Sequence, residues 1–261
     1  MNCNEYKPHE LGPLGKNIKT IILQSTDFIV FLDEDETIEW STEDDYSGFH
    51  TAFGSVQNRI SHWESLCNKL FSKKEAYDYK AVLAEGYARI LDDKDINLAN
   101  DVLDLTIYRI KKHGKEILKQ YYILSCFICT LLVISAIAIV IIQKKECLML
   151  INEDNFQILL TSLFGGIGAF VFATLRLTKY EPELTVPVKI YIIDGMLRVF
   201  YGIIAGMIVA IGIKSNLVLG IINQVKVPSI YLTVFIGLIA GASEFIIPNL
   251  IKQVESKSSI K

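Results

Sequence analysis

Apolar residues are spread unevenly along the 261-residue chain. Through the first 120 residues they recur singly and in short groups among charged ones. Beyond that they merge into runs near the ~20 residues a helix needs to cross a bilayer. Tyr121–Gln143 holds no charge and lies between Lys119 and the pair Lys144, Lys145. Phe156–Leu175 is closed by Arg176 and Lys179. Leu197–Ile213 has Arg198 near its start and Lys214 at its end, and Ser229–Ile247 is closed by Pro248. This pattern predicts four transmembrane helices, at 121–143, 156–175, 197–213 and 229–247. Leu217–Ile222 is apolar but too short to cross, so an interfacial or re-entrant piece is expected there.

The first 120 residues follow other periods. Two β-branched runs, Ile18–Leu23 and Phe28–Leu32, flank a polar Gln-Ser-Thr-Asp and read equally as a hairpin or as part of a helix. Asp33–Asp45 then packs eight acids into 13 residues around Trp40, a composition expected to form a solvated loop. Helical spacing follows over Val56–Phe71, Lys74–Leu91 and Ile96–Gln120, with Asp92-Asp93-Lys94-Asp95 supplying an N-cap for the third. Val82, Leu83, Gly86, Tyr87 and Ile90 share a face of the second helix. Ala99, Val102, Leu103, Thr106 and Ile110 share one on the third, and Gly86 is expected opposite Ala99. The hairpin resembles a single tetratricopeptide-type unit without a second copy. No proline lies between Ile96 and Gln143, so the third helix is expected to run straight into the first span, with Gly114 its weak point.

Charge divides the chain in the same way. Residues 1–120 carry 15 basic against 21 acidic residues, and residues 121–261 carry 11 against 8. In the flanks of the spans, 12 Lys and Arg fall on the side of the N-terminal half and the C-terminal tail, and 4 on the other. The positive-inside rule then puts both termini in the cytoplasm, with the chain crossing the membrane several times. No secretory leader is expected, because Lys19, Gln24 and Asp27 interrupt the first apolar stretch. The five cysteines give no disulfide framework, and Cys126-x-x-Cys129 lacks a second ligand pair. Asp33, Asp35 and Glu36 lack the glycine and closing glutamate of a calcium loop. His9, His50, His62 and His113 sit in no nucleophile or metal motif. No catalytic residue, metal or cofactor is expected.

Within the spans, Gly165-x-x-x-Ala169, Gly202-x-x-x-Gly206 and Gly237-x-x-x-Gly241 have the small-residue spacing that lets helix backbones meet in lipid. Spans two to four are therefore expected in a tight bundle with glycine-free span one outside. Asp194, Arg198 and Glu244 would lie at similar depth, which suggests that Arg198 is held between the two acids as a clamp or a gate. In the soluble half, Lys69, Lys73, Lys74, Lys80 and Arg89 alternate with Phe71, Tyr77, Tyr79 and Tyr87. Cations beside aromatic faces suit a single-stranded nucleic acid; a solvated lysine face over core tyrosines is the other reading. Lys73, Lys74, Tyr77, Lys80 and Arg89 are the candidate ligand residues.

Leu197-Arg198-x-x-x-Gly202-x-x-x-Gly206, followed by Ile236-Gly237-x-x-x-Gly241-Ala242-Ser243-Glu244-x-x-x-Pro248-Asn249, resembles a carboxy-terminal two-span module of bacterial predicted membrane proteins. An arginine often follows the glutamate there, where this chain has Phe245. The layout of a cytoplasmic helical domain fused to four spans also resembles small membrane effectors of bacterial anti-phage systems, the Hailong-type channel effector among them. That resemblance implies a homo-oligomer, a tetramer in that family, held inactive by single-stranded DNA oligomers that a partner nucleotidyltransferase makes.

The resulting expectation is an all-α membrane protein. A mainly helical cytoplasmic sensor domain over 1–120, with a short β-hairpin near its start as an option, is fused to a four-span transmembrane domain over 121–261. The expected function is that of a non-enzymatic inner-membrane effector whose cytoplasmic domain senses a nucleotide or oligonucleotide and controls an oligomeric pore. The alternative is a non-conducting scaffold that docks a cytoplasmic protein partner. A transporter ranks below both, since polar residues within the spans are few.

Overall fold

The computed structural model describes residues 3–44, 46, 53–92, 96–215 and 229–243. The chain is mostly helical and divides into two compact units. One comprises Met1–Ile117 with Glu183–Thr185, the other Leu118–Pro182 with Val186–Lys261.

The N-terminal unit is not all-α. It opens with a three-stranded antiparallel meander, β1 (Ile18–Gln24), β2 (Phe28–Asp33) and β3 (Ile38–Thr42), in the order β1-β2-β3. Of the two readings of residues 18–32, the hairpin is realised, and the acidic block supplies a third strand. Every residue of the central β2 is buried. Ile29 and Phe31 pack with Ile18 and Cys3 on one face. Side chains alternate along a strand, so Val30 and Leu32 take the other face, and the helix over Lys73–Asp92 packs against all three strands. A strand buried on both sides needs apolar residues at every position, which is why this run shows no alternation.

The acids that link β2 to β3 are used, not merely solvated. Asp33 is 2% exposed; its Oδ1 accepts the Thr37 N–H at 2.7 Å and its Oδ2 pairs with Lys16 Nζ at 3.2 Å. Glu36 takes φ 61, the left-handed conformation of a tight turn. Its carboxylate pairs with Lys19 at 2.5 Å, while Lys16 also pairs with Glu39. Like charges crowded into one loop are thereby neutralised by lysines at and just before β1.

Helices α1 (Phe53–Leu70) and α2 (Lys73–Asp92) pack as a hairpin. A capping box opens α2: the Ser72 N–H and hydroxyl donate to Glu75 Oε2 at 3.1 and 2.7 Å, and the Glu75 N–H donates to Ser72 Oγ at 3.4 Å. Helix α3 (Ile96–Ile142) runs unbroken for 47 residues, about 70 Å at 1.5 Å per residue. The N-cap proposed at 93–95 lies outside the described residues. Arg59 of α1 ties to α3 through Asn100 at 2.6 Å and Asp104 at 2.5 Å. A Cβ on Gly86 would sit 2.8 Å from Leu103 Cδ2, with Ile60 Cδ1 also near. Gly114 does not interrupt α3. Within this unit it makes room for Leu184 Cδ2, 2.9 Å from where a Cβ would be, with Leu70 beside it.

The second unit takes up α3 from Leu118, then α4 (Lys144–Leu150), α5 (Glu153–Arg176), α6 (Val188–Lys214) and α7 (Ser229–Ala242). Among the described residues, three helices are long and apolar enough to cross a membrane: α3, α5 with the short turn after it, and α6. The fourth expected span is represented by α7, whose 14 described residues reach about 21 Å against the ~30 Å of a hydrocarbon core. Ser243 is not helical, Glu244–Ile247 lie outside the described residues, and so does the expected interfacial piece at Leu217–Ile222.

Candidate functional site

Three sets of residues stand as candidates: the cations of α2, the charged residues of the membrane unit and its glycines. On α2, Lys73 and Lys74 are exposed in the first turn. The N-terminal end of a helix attracts anions, but here Ser72 and Glu75 already serve it. Glu75's carboxyl is held below the ordinary range by the Ser72 hydroxyl and N–H.

Tyr77 is half-buried. Its hydroxyl bonds Thr20 Oγ1 at 2.8 Å, and Lys19 Nζ stands 5.0 Å from its ring centre. Lys80 belongs to the core instead of a ligand surface. It is 2% exposed and donates to the Glu36 carbonyl at 2.6 Å, so it fastens α2 to the acidic turn. Arg89 is exposed but lies 16 residues from Lys73, about 24 Å along α2 and nearly opposite around its axis. One phosphate group cannot meet both ends.

The interleaved aromatics are equally committed. Tyr87 packs with Trp40 and Phe53 at centroid distances of 6.2 and 5.9 Å, and burial pushes its phenol up to about 12. Tyr79 bonds His113 Nδ1 at 3.0 Å, with Phe71 5.0 Å away. Base stacking would need these rings on the surface; of the two readings of the lysine–tyrosine interleaving, the solvated face over core aromatics fits this packing. Glu64, between Lys80 and the sheet, accepts the Ile38 N–H at 2.8 Å. Burial raises its carboxyl, opposed by that hydrogen bond and by the Lys80 charge. Burial also pushes the neighbouring Cys67 thiol up to about 12.

In the membrane unit, Asp194 and Arg198 come to one wall of α6. Asp194 accepts a hydrogen bond from the Tyr180 hydroxyl at 3.2 Å, and the Arg198 guanidinium lies over the Phe172 ring at 5.1 Å. Glu244, the third member of the expected clamp, lies outside the described residues. Tyr180 stacks on Tyr122 at 4.7 Å with Tyr191 edge-on.

The glycines form a seam with α5 in the middle. A Cβ on Gly165 would run into the Gly202 carbonyl oxygen, and one on Gly202 would meet Gly165 O at 2.6 Å. A Cβ on Gly206 or Gly237 would lie 2.7 or 2.5 Å from the Thr161 carbonyl oxygen, and one on Gly241 would run into that of Gly165. The spacing alone does not single out Gly168, which faces the Leu238 carbonyl oxygen. It also misses Gly195, which admits Tyr122 and Ser125 of α3. Gly195 lies seven residues before Gly202 and so on the same stripe of α6, a signal that is present in the sequence. Hydroxyls within the spans bond back to their own helices, as Thr130 does to Cys126 O, Thr161 to Gln157 O and Ser162 to Ile158 O. No family model, curated protein or solved structure matches the chain.

Proposed function

We propose that the chain is a bacterial inner-membrane effector, both termini cytoplasmic, whose N-terminal unit controls an oligomeric assembly of its membrane helices. One observation carries this reading: α3 belongs to both units without a break or a proline over 47 residues. A continuous helix transmits rotation and tilt, whereas a loop absorbs them. The Glu183–Thr185 segment, from the connection between α5 and α6, supplies Leu184 to the N-terminal unit by packing at Gly114.

The membrane helices support a pore formed between copies. Among the described residues, α6 and α7 each close on α5 backbone to backbone, so ions passing through this assembly would have to run between subunits. Anti-phage defence is the setting that the family resemblance implies, with a nucleotide or single-stranded DNA oligomer as the signal. Of the candidate cations for that signal, Lys73 and Lys74 are the adjacent exposed pair.

A second reading, the non-conducting scaffold, draws on a different surface. Leu98, Leu105 and Tyr108 of α3 are 39%, 54% and 64% exposed in the N-terminal unit. Their spacing places them along one side of the helix, as a protein-docking stripe would be.

The test uses the full chain with its operon in bacteria, with membrane potential as the readout. Glu116 is exposed, so Glu116→Pro breaks α3 between the units with little loss of side-chain contact. The intact chain should hold the potential until phage challenge. The Glu116→Pro variant, once shown to be inserted, should either leak beforehand or fail to respond. Identical behaviour of the two under both conditions sinks the coupling. A potential that never changes in either leaves the scaffold.

A further inference from the structure

We propose that an apolar groove of about 370 Å³ on the membrane unit is a binding site for one hydrocarbon chain of a bilayer phospholipid. It lies between α3 and α6. Val133 and Val199, both buried, form its floor, and the exposed Leu132, Met196 and Phe200 stand as its walls. Cys129 also lines it; among the described residues no charged side chain does.

The groove exists because α6 changes the size of the side chains that it turns to α3. At Gly195 the two helices meet closely. The Tyr122 carbonyl and the Ser125 hydroxyl occupy the place of a side chain, and the Cys126 thiol donates to the Gly195 carbonyl at 3.2 Å. The turns that follow carry Met196, Val199 and Phe200 in place of glycine, and these hold α3 off. A β-branched residue keeps one strongly preferred rotamer in a helix. The valine floor therefore holds its shape and does not fold in to close the space.

Depth selects the occupant. Leu132 is the midpoint of the uncharged run Tyr121–Gln143, and Cys129 and Val133 lie within about 5 Å of it along the axis. The hydrocarbon core is ~30 Å thick, so headgroups and bulk water begin about 15 Å away. Water finds no set of hydrogen-bond partners in such a groove, and empty space forfeits contacts along every wall. A second copy needs more room. A helix with its side chains is about 10–12 Å across, and a stable protein interface takes about 20–30 residues a side, against the eight residues that line this groove. A hydrocarbon chain is the thin apolar body that reaches this depth. The site goes beyond the effector reading and does not depend on whether the assembly conducts.

The test uses the full chain in mild detergent, after exchange has removed loosely held lipid. Phe200→Trp puts a reporter in the wall. Ile134→Trp puts one at the same depth on another, exposed side of α3. With phosphatidylglycerol brominated at mid-chain as the probe, the Phe200→Trp reporter should lose about half of its fluorescence to bromine packed against it, and the Ile134→Trp reporter none. Native mass spectrometry then reads retention. Phosphatidylglycerol and phosphatidylcholine with the same chains should be retained equally. Val133→Phe should lower retention about tenfold by filling the space the chain needs, and Ile134→Phe should leave it unchanged. Quenching of both reporters alike, or of neither, overturns the site. Retention that follows the headgroup, or that Val133→Phe leaves unchanged, overturns the chain as the group recognised. A Phe200→Trp reporter shielded without retained lipid, in step with self-association, makes a second copy the occupant and overturns the proposal.

Discussion

In the N-terminal unit the glycines of the long helices look onto side-chain tips: Leu103 Cδ2 for Gly86, Leu184 Cδ2 for Gly114. In the membrane unit five look first onto backbone, among them Gly165 onto the Gly202 carbonyl, Gly206 and Gly237 onto that of Thr161 and Gly168 onto that of Leu238, whereas Gly166 meets the Ile203 and Val199 side chains. The contrast follows from the two solvents. Water drives apolar side chains together, so the first unit gathers Ile29, Phe31, Leu83 and Ile90 and tolerates some adjustment at the edges. Lipid gives no such drive between helices, and close approach of the backbones takes its place. Side-chain tips can swing aside; carbonyl oxygens of a neighbouring helix cannot move without moving the helix.

The strongest way to break this contrast is one methyl group in each unit. Gly165→Ala should cost about 3 kcal/mol or more, or abolish the folded bundle, since no rotamer relieves a clash with backbone. Gly86→Ala should cost visibly less. Detergent-resistant melting compares the two, and equal losses would erase the distinction.

Next comes Lys80→Met, which fills the same space but leaves the Glu36 carbonyl without its buried donor. A loss of about 1–3 kcal/mol is expected, confined to the N-terminal unit. Cys67 is buried in that unit and its thiol stands at about 12, so alkylation of Cys67 at pH 8 should report opening and should speed up in the variant. An unchanged rate would mean that Lys80 is not a fastener.

Glu64 gives a smaller effect, read as a slope. Its folded pKa is raised above 4.5, so the native unit holds the proton more tightly than the unfolded chain does. Stability from this group is therefore greatest below that pH and is lost as pH rises through the raised value. Glu64→Gln keeps an oxygen for the Ile38 N–H and should flatten this part of the profile. A steeper fall would reverse the assignment. Smallest of all, Gly54→Ala meets nothing within 4 Å in the first turn of α1 and should stabilise the N-terminal unit by about 0.5 kcal/mol.

Much of the architecture can be read from residue order because it depends on local periodicity. Helices α1 and α2 begin and end within a few residues of their expected limits, and the continuity of α3 follows from the missing proline. Elements that rest on distant partners cannot be read in this way. Strand β3 is five residues long and carries Glu39 beside Trp40, so composition alone reads as a loop there; Glu39 is answered by Lys16 from before β1, and the Ile38 N–H by Glu64 of α1. Lys80 resembles its exposed neighbours Lys73 and Lys74 because nothing within α2 reveals that the Glu36 carbonyl waits across the interface. The groove residues Cys129 and Val133 read from sequence only as part of a span, since their convergence with Phe200 depends on how α3 and α6 pack.

The glycine seam also has a mechanical meaning. Helix α5 meets rigid backbone on both sides, at Gly202 of α6 and at Leu238 and Gly241 of α7, so little side chain separates them at these points. It shares few degrees of freedom with α6 and α7, and the three should displace as one block. Within the membrane unit, α3 is attached differently: Gly195 receives Tyr122 and Ser125, the Cys126 thiol reaches Gly195 O at 3.2 Å, and Phe127 meets Phe170 at 6.0 Å. Under the coupling proposed above, that block would be the stator against which α3 moves.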